Sequence, residues 1–233
     1  MTENITYLIA HTPRTGSNWL CEVLFHAGNA GNVDPNRAGL FVGYGPGLAK
    51  PGVYPDKIDE YFTDSTTANG VCGMKSDWGY LDMLDSHFPA GALDAILKRY
   101  THFIYLYRED VVAQAVSWYI AAKSGVFTSV NRNAPGKGDP LAVAYDRAEI
   151  AQRIERITDA DNRWRTYFEA HAIDALWINT EAMVAKGGMT KAVRAIYKHL
   201  GIAAPRVFKT QHTLQKMDNP LKAEFVERYN VGD

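Results

Sequence analysis

Cysteine is scarce in this sequence, and neither sign of charge is in excess. The 233 residues include two cysteines, Cys21 and Cys72, which lie in apolar segments and not at the spacing of metal ligands. We therefore expect two reduced, buried thiols, as is typical of a reducing compartment. The 25 basic and 26 acidic residues give a formal net charge of -1, without the basic excess of a nucleic-acid-binding protein. Any anion site must therefore be local, and nucleic acid is not an expected partner.

Long apolar runs are also missing. No segment approaches the roughly 18 uninterrupted apolar residues that indicate a membrane span, and the first residues lack the basic and apolar regions of a signal peptide. These absences predict a cytoplasmic protein without a membrane span. The hydrophobic share of 46% and the charged share of 22% are ordinary for a globular domain. Because no repeat and no boundary is visible, we expect a single domain over residues 1–233.

Short apolar segments alternate with helical patterns along the chain. Strands are predicted at residues 6–10, 71–75, 101–107 and 176–179. Helices are predicted after the first strand as far as Gly28, after an N-cap at Asp110, over residues 141–171 and 190–199, and near the C-terminus. This alternation indicates an α/β fold. We expect a P-loop-like three-layer sandwich with a central, mostly parallel sheet.

The turn after the first strand, residues 13–19 (PRTGSNW), has the features of an anion site. Ligands of open α/β sheets bind at the carboxyl ends of strands, and the N-terminus of the following helix favours anions. Arg14 supplies a planar fork for sulfate or phosphate oxygens, Gly16 permits close approach, and Ser17 and Asn18 offer donors. An ordinary turn capped by Ser17 or Asn18 is the structural alternative. Neither G-x-x-x-x-G-K-[ST] nor G-x-G-x-x-G is present, which disfavours a kinase or nucleotide hydrolase.

The second informative segment is residues 107–119 (YREDVVAQAVSWY). Arg108 lies at the end of a predicted buried strand, and Ser117 lies two helical turns past Asp110. Because an unpaired buried charge is costly, Arg108 requires an anion or an ion-pair partner. The segment therefore predicts either a second anion site or a salt bridge to Glu109 or Asp110.

Together the two segments resemble the nucleotide-binding elements of sulfotransferases, which use 3′-phosphoadenosine 5′-phosphosulfate (PAPS). The pattern is similar to the bacterial carbohydrate sulfotransferase family of the trehalose 2-sulfotransferase type. Residues 73–78 (GMKSDW) resemble the G-x-K-x-x-W of that family, and residues 224–229 (EFVERY) resemble its E-W-V-E-R-Y. The similarity therefore extends over nearly the whole chain, although it is strong only in these four patches.

The resemblance implies which residues would bind PAPS. The 5′-phosphosulfate would be held by the first turn, at Arg14, Thr15, Gly16, Ser17 and Asn18. The 3′-phosphate would be held by Arg108 and Ser117. Trp19 would either line the adenine site or belong to the core, and Lys216 is a further candidate for the nucleotide phosphates.

Sulfuryl transfer requires positioning and charge stabilisation, and no metal is implied. Arg14 would stabilise the leaving phosphate and the transferring sulfuryl group. Lys75 would contact the sulfuryl group or the acceptor, or pair with an acid. The leading candidate for the base that takes the acceptor proton is Asp34, which matches the first acid of the family's E-P-x-E segment. Arg37 stands where the second acid is expected, which weighs against trehalose as the acceptor; His11 and Asp77 are further candidates for the base.

The acceptor pocket is expected to form from residues 34–54, 76–80, 118–126 and 131–140. The Trp and Tyr content of these segments suits sugar rings, so the expected acceptor is a carbohydrate or glycolipid hydroxyl. Family analogy also suggests a homodimer. A small-molecule kinase and a nucleotide-binding module without catalysis remain the alternatives.

Overall fold

Four parallel strands form the centre of the molecule. The computed structural model describes residues 4–33, 58–86, 89–131, 135–208 and 219–232. The strands are β1 (Ile5–His11), β2 (Val71–Asp77), β3 (His102–Tyr107) and β4 (Leu176–Asn179). They lie in the order β2-β1-β3-β4, so β1 and β3 are neighbours in the middle of the sheet. In the register, His11 is opposite Asp77 on one side and Leu106 on the other.

Helices follow or connect these strands. Their bounds are α1 (Ser17–Ala27), α2 (Ile58–Asp64), α3 (Trp78–Asp85), α4 (Ala92–Leu97), α5 (Val111–Ser124), α6 (Arg147–Ala170), α7 (Thr180–Val184), α8 (Gly188–His199) and α9 (Pro220–Val231). None of the helices within the described ranges is long and apolar enough to cross a membrane.

The predicted strands are confirmed to within two residues at each end, and every strand pair is parallel. The helix predicted over residues 141–171 begins later, because the Asp146 side chain caps it by accepting a hydrogen bond from the Glu149 amide. From there it continues as a single helix to Ala170. The short helices α2, α3, α4 and α7 were not predicted.

Both faces of the sheet are covered. Tyr7 and Ile9 of β1 pack into a buried cluster with Leu24 of α1 and Ile196 of α8. Leu8 and Ala10 point to the other face, into a second cluster that includes Trp164 and Phe168 of α6 together with Leu81 of α3. Because alternate strand residues enter two separate cores, the expected three-layer arrangement is confirmed.

The helices α5, α6 and α9 share a third apolar cluster beside the sheet. Ala115, Val116, Tyr119 and Ile120 of α5 are buried there, and they pack with Phe225 of α9. This packing fixes the start of α5 against the carboxyl end of β3, where Arg108 lies.

Gly73 of β2 allows β1 and β2 to pack against the turn that follows α1. A Cβ atom on Gly73 would lie 2.5 Å from the Tyr7 ring and 2.5 Å from Val33 Cγ2. We expect Gly73→Ala to lower the free energy of unfolding by about 1–3 kcal/mol, since overpacking a close-packed core forces neighbours to move. Chemical denaturation measures the change.

The control is Gly138→Ala, where a Cβ atom would lie 3.6 Å from Ser124, an ordinary contact. Its free energy of unfolding should stay within about 0.5 kcal/mol of the wild type. Equal losses in the two variants would contradict the close-approach argument.

Candidate functional site

The carboxyl ends of β1, β2 and β3 open into one cavity. As bounded by the described residues, its volume is about 1450 Å³. Pockets for a single small ligand usually measure about 300–1,000 Å³, so this cavity has room for a nucleotide and an acceptor together. Its position at the strand ends is the expected ligand site of an open α/β sheet.

The turn between β1 and α1 forms the floor of the cavity. Gly16 is the N-cap of α1, with φ of 78° and no side-chain cap, so neither Ser17 nor Asn18 acts as a simple cap. The first amides of α1 are therefore left for an anion. The Thr15 side chain is fully buried and donates to the Thr12 carbonyl at 3.0 Å, which gives that side chain a structural role.

Arg14 adopts the left-handed region, with φ of 68°, and its side chain crosses to α5. Nε donates to Ser117 Oγ at 3.3 Å, and Nη1 donates to the Phe127 carbonyl at 2.6 Å. Burial and the nearby Arg108 charge lower the pKa of Arg14 to about 10. Among the described residues no carboxylate pairs with Arg14. The Arg14 guanidinium could therefore pair with an anion from outside the protein.

Gln114 fixes this turn to α5. Its Nε2 donates to Thr12 Oγ1 at 2.8 Å and to the Pro13 carbonyl at 2.6 Å, and the side chain is buried. Sequence reasoning missed this residue. One signal in the sequence could have identified it: Gln114 is a polar side chain within the apolar run of α5, three residues before Ser117.

Arg108 makes a salt bridge, but not to either of the neighbours considered from the sequence. Its Nε donates to Glu181 Oε1 at 3.2 Å, whereas Asp110 caps α5 by accepting from the Ala113 amide at 2.8 Å. Glu181 Oε2 also accepts from the Glu109 amide at 3.3 Å and from Asn179 Nδ2 at 3.2 Å. The salt bridge considered from the sequence is therefore present, but its partner is Glu181 of α7 and not Glu109 or Asp110.

The Glu181 contact occupies only one edge of the Arg108 guanidinium. Within the part of the chain that the structure describes, the two terminal nitrogens of Arg108 have no hydrogen-bond partner. The side chain is 20% exposed and lines the cavity together with Ser117 and Arg14. The two residues expected to bind a 3′-phosphate thus lie together, and Ser117 also touches Arg14.

Lys75 connects the turn to β2. Its buried ammonium donates to Asn18 Oδ1, and it lines the cavity with Ser17. Trp19 borders the cavity and also packs against the core between the sheet and α1, so the core role considered from the sequence is present, and contact with adenine stays a prediction.

Asp77 and His11 are neighbours at the ends of β2 and β1. Asp77 Oδ1 accepts from the Tyr80 amide at 3.0 Å, and burial raises the pKa of Asp77 to about 6 against the opposing effects of backbone amides and Lys75. Burial and the Lys75 charge lower the pKa of His11 to about 3, and His11 Nδ1 lies 3.0 Å from the Thr12 carbonyl. At neutral pH, His11 is therefore uncharged.

The outer wall of the cavity was only partly predicted. Trp78, Tyr80 and Trp118, from the segments expected to bind the acceptor, line it. Residues 135–140, a described part of the segment predicted at 131–140, do not line the cavity. Helices α6 and α9 contribute residues that were not predicted: Arg156, Asp159, Ala160, Lys222, Ala223 and Val226.

Some predicted site residues lie outside the described ranges. These are Asp34, Arg37 and Lys216, together with residues 35–54 of the expected acceptor pocket. Within the described ranges no three His, Cys, Asp or Glu side chains come together in the manner of metal ligands.

Comparison with known proteins gives consistent matches along the chain. The family model of the Stf0 sulphotransferases matches residues 6–232. The trehalose 2-sulfotransferase of Mycobacterium tuberculosis (strain ATCC 35801 / TMC 107 / Erdman) is 26% identical over 269 residues, covering 97% of this chain and 94% of that protein. The trehalose 2-sulfotransferase of Mycolicibacterium smegmatis (strain ATCC 700084 / mc(2)155) is 27% identical over 197 residues, covering 79% and 68%. The resemblance predicted from four short patches is confirmed along the whole fold, and the chain belongs to the Stf0 sulphotransferase family.

Proposed function

We propose that this protein transfers a sulfuryl group from PAPS to a hydroxyl of a carbohydrate or glycolipid. One observation carries the proposal: Arg14 and Arg108 lie close enough for the Arg108 charge to lower the pKa of Arg14, in one cavity at the ends of adjacent strands. Two neighbouring cations, one without a carboxylate partner among the described residues, suit a ligand that carries more than one anionic group.

The residues present fit the two anionic ends of PAPS. The first amides of α1, Gly16 and the Arg14 guanidinium suit the 5′-phosphosulfate. The terminal nitrogens of Arg108 and the Ser117 hydroxyl suit the 3′-phosphate. Because Arg14 Nε donates to Ser117 Oγ at 3.3 Å, the two sets of groups are directly connected.

Charge stabilisation by fixed cations accounts for the chemistry in this proposal. When an acceptor oxygen attacks sulfur in line, negative charge builds on the bridging and equatorial oxygens, as in phosphoryl transfer. Arg14, held by Ser117 and the Phe127 carbonyl, would stabilise that charge. Lys75, held by Asn18, adds a second positive charge at the same turn. Groups that are already oriented need little reorganisation during the reaction.

The carbohydrate or glycolipid acceptor is supported by the outer wall of the cavity. Trp78, Tyr80 and Trp118 place aromatic rings there, and aromatic faces combine apolar contact with a polar edge. The two relatives are both named trehalose 2-sulfotransferases, so trehalose is the first acceptor to assay.

Nucleotide binding should not require a divalent cation, because arginine and lysine side chains supply the positive charge in this proposal. PAP, the nucleotide left after transfer, should bind with equal affinity in EDTA and in Mg²⁺. ATP with Mg²⁺, which lacks a 3′-phosphate, should bind more weakly. Calorimetric titration measures all three. Loss of PAP binding in EDTA would overturn the scheme.

Replacing Arg14 should remove the main charge stabiliser and leave the fold intact. Arg14→Ala should reduce turnover of PAPS by about 10²–10³, the effect of losing one preorganised donor. The backbone at φ of 68° restricts alanine and arginine alike, so circular dichroism should be unchanged. The control, Arg206→Ala, removes an exposed arginine away from the cavity and should keep full turnover. Near wild-type turnover in Arg14→Ala would exclude Arg14 from the reaction.

Replacing Arg108 should test the 3′-phosphate site directly. A charge-assisted arginine contact contributes about 1.5–3 kcal/mol, which corresponds to roughly a tenfold to hundredfold preference for PAP over 5′-AMP. Arg108→Ala should weaken PAP binding by that factor and change 5′-AMP binding little, so that the two affinities converge.

Two titrations for each variant separate the possible roles of Arg108. Equal losses for PAP and 5′-AMP would indicate a structural role, in which Arg108 and Glu181 only join β3 to α7. An absent preference for PAP in the wild type would defeat the assignment of PAPS itself.

A further inference from the structure

Asp77 faces the turn that binds the anion. Residues two apart on a strand point to the same face, so Asp77 shares the face of Lys75, whose ammonium reaches Asn18 on that turn. Asp77 is also the register partner of His11, three residues before Arg14. Asp77, Lys75 and Arg14 all line the one cavity. The carboxylate is therefore placed beside the region where sulfuryl transfer would occur.

The Asp77 carboxylate is fixed by backbone and retains room for a ligand. Oδ1 accepts from the Tyr80 amide at 3.0 Å, and the Gly79 amide also favours the ionised form. Across the described ranges no side chain donates a hydrogen bond to this carboxylate. An ionised carboxylate has about four acceptor sites, so positions remain for a hydroxyl of the acceptor.

The proton affinity of Asp77 suits a base at neutral pH. Burial raises its pKa to about 6, although the amides of Tyr80 and Gly79 and the charge of Lys75 oppose this. Such a carboxylate is largely ionised at pH 7 and is a stronger base than an ordinary aspartate. The titratable and charged groups that line the cavity with it are His11, Arg14, Lys75, Tyr80, Asp82, Arg108, Arg156, Asp159, Glu181 and Lys222.

The other described acids and the histidine beside this cavity are less suited to take a proton. His11 is a weak proton acceptor because burial and Lys75 lower its pKa to about 3. Glu181 is held by Arg108. Asp82 is held in an ion pair with Arg163. Asp159 lies 3.8 Å from the same arginine, Arg163. Among the described acids that line the cavity, Asp77 is therefore the one with both access and a raised pKa.

We infer that Asp77 is the general base that takes the proton of the acceptor hydroxyl, an inference that rests on the proposed sulfuryl transfer. In this step the acceptor oxygen forms a bond to sulfur, and its proton moves to an oxygen of Asp77. The bond between sulfur and the bridging oxygen of PAPS breaks, and PAP leaves with the electron pair. Asp77 then releases the proton to water. The step involves no oxidation or reduction, and it consumes only PAPS and the acceptor.

Asp77→Asn tests the inference without removing the backbone contact, because the asparagine oxygen still accepts from the Tyr80 amide. PAPS consumption is measured with trehalose and with water as acceptors. We expect the rate to fall by about 10²–10⁴, the usual contribution of a general base, with PAP affinity unchanged. The matched control is Asp85→Asn, an exposed aspartate at the end of α3, the helix that follows Asp77, which should keep the wild-type rate.

The pH profile gives a second readout that a purely structural role would not alter. Asp77 must be ionised to accept a proton, so the wild-type kcat/KM should fall as the pH drops below about 6, and this limb should be absent in Asp77→Asn. A wild-type rate in Asp77→Asn, or a loss confined to Asp34→Asn, would overturn the inference while leaving sulfuryl transfer intact. A wild-type protein that binds PAP no better than 5′-AMP and consumes no PAPS would overturn the proposed function instead.

Discussion

Two arginine side chains held near each other at the end of the sheet set the main physical constraint on this protein. Arg14 is partly buried and lies close to Arg108, and desolvation together with the Arg108 charge lowers its pKa to about 10. Like charges in a partly desolvated site are unfavourable unless an anion joins them. Gln114 fixes the backbone before Arg14, and Glu181 fixes one edge of Arg108. The scaffold thus holds the two guanidinium groups in an arrangement that a ligand with several negative charges would stabilise.

The order of the strands explains why these two residues meet although they are far apart in sequence. Because β1 and β3 are adjacent and parallel, their carboxyl ends lie at the same edge of the sheet. Arg14 and Arg108 follow these two ends and so lie at that edge. Helix α5 then passes the turn after β1, where Gln114 contacts Thr12 and Ser117 contacts Arg14. A site divided between two strand ends in this way depends on the register of the sheet, and so on close contacts such as that of Gly73 with Tyr7.

The sequence predicts those parts of the structure that local patterns specify. Short apolar runs predict the strands, and the predicted bounds of β4 match at both ends. Arg108 is recognisable because it directly follows such a run, and Arg14 because it lies in the short turn after one. Glu181 could not be predicted as the partner of Arg108, since their contact arises only when β3 and β4 pair. The basicity of Asp77 depends on burial by surrounding elements, which no local pattern records. Helices α2, α3 and α4 are too short to show a clear period.

The charge of Lys75 acts both on the turn that would hold the donor and on Asp77, the proposed base. It contacts Asn18 in the turn that would hold the donor, and its charge lowers the pKa of both Asp77 and His11. Burial raises the Asp77 pKa, and the amides of Tyr80 and Gly79 oppose this rise together with the Lys75 charge. The same positive charge adds to the effect of burial on His11, which stays uncharged beside the arginines. One buried lysine therefore adds positive charge at the turn and helps the backbone amides to favour the ionised carboxylate, the form that can accept a proton.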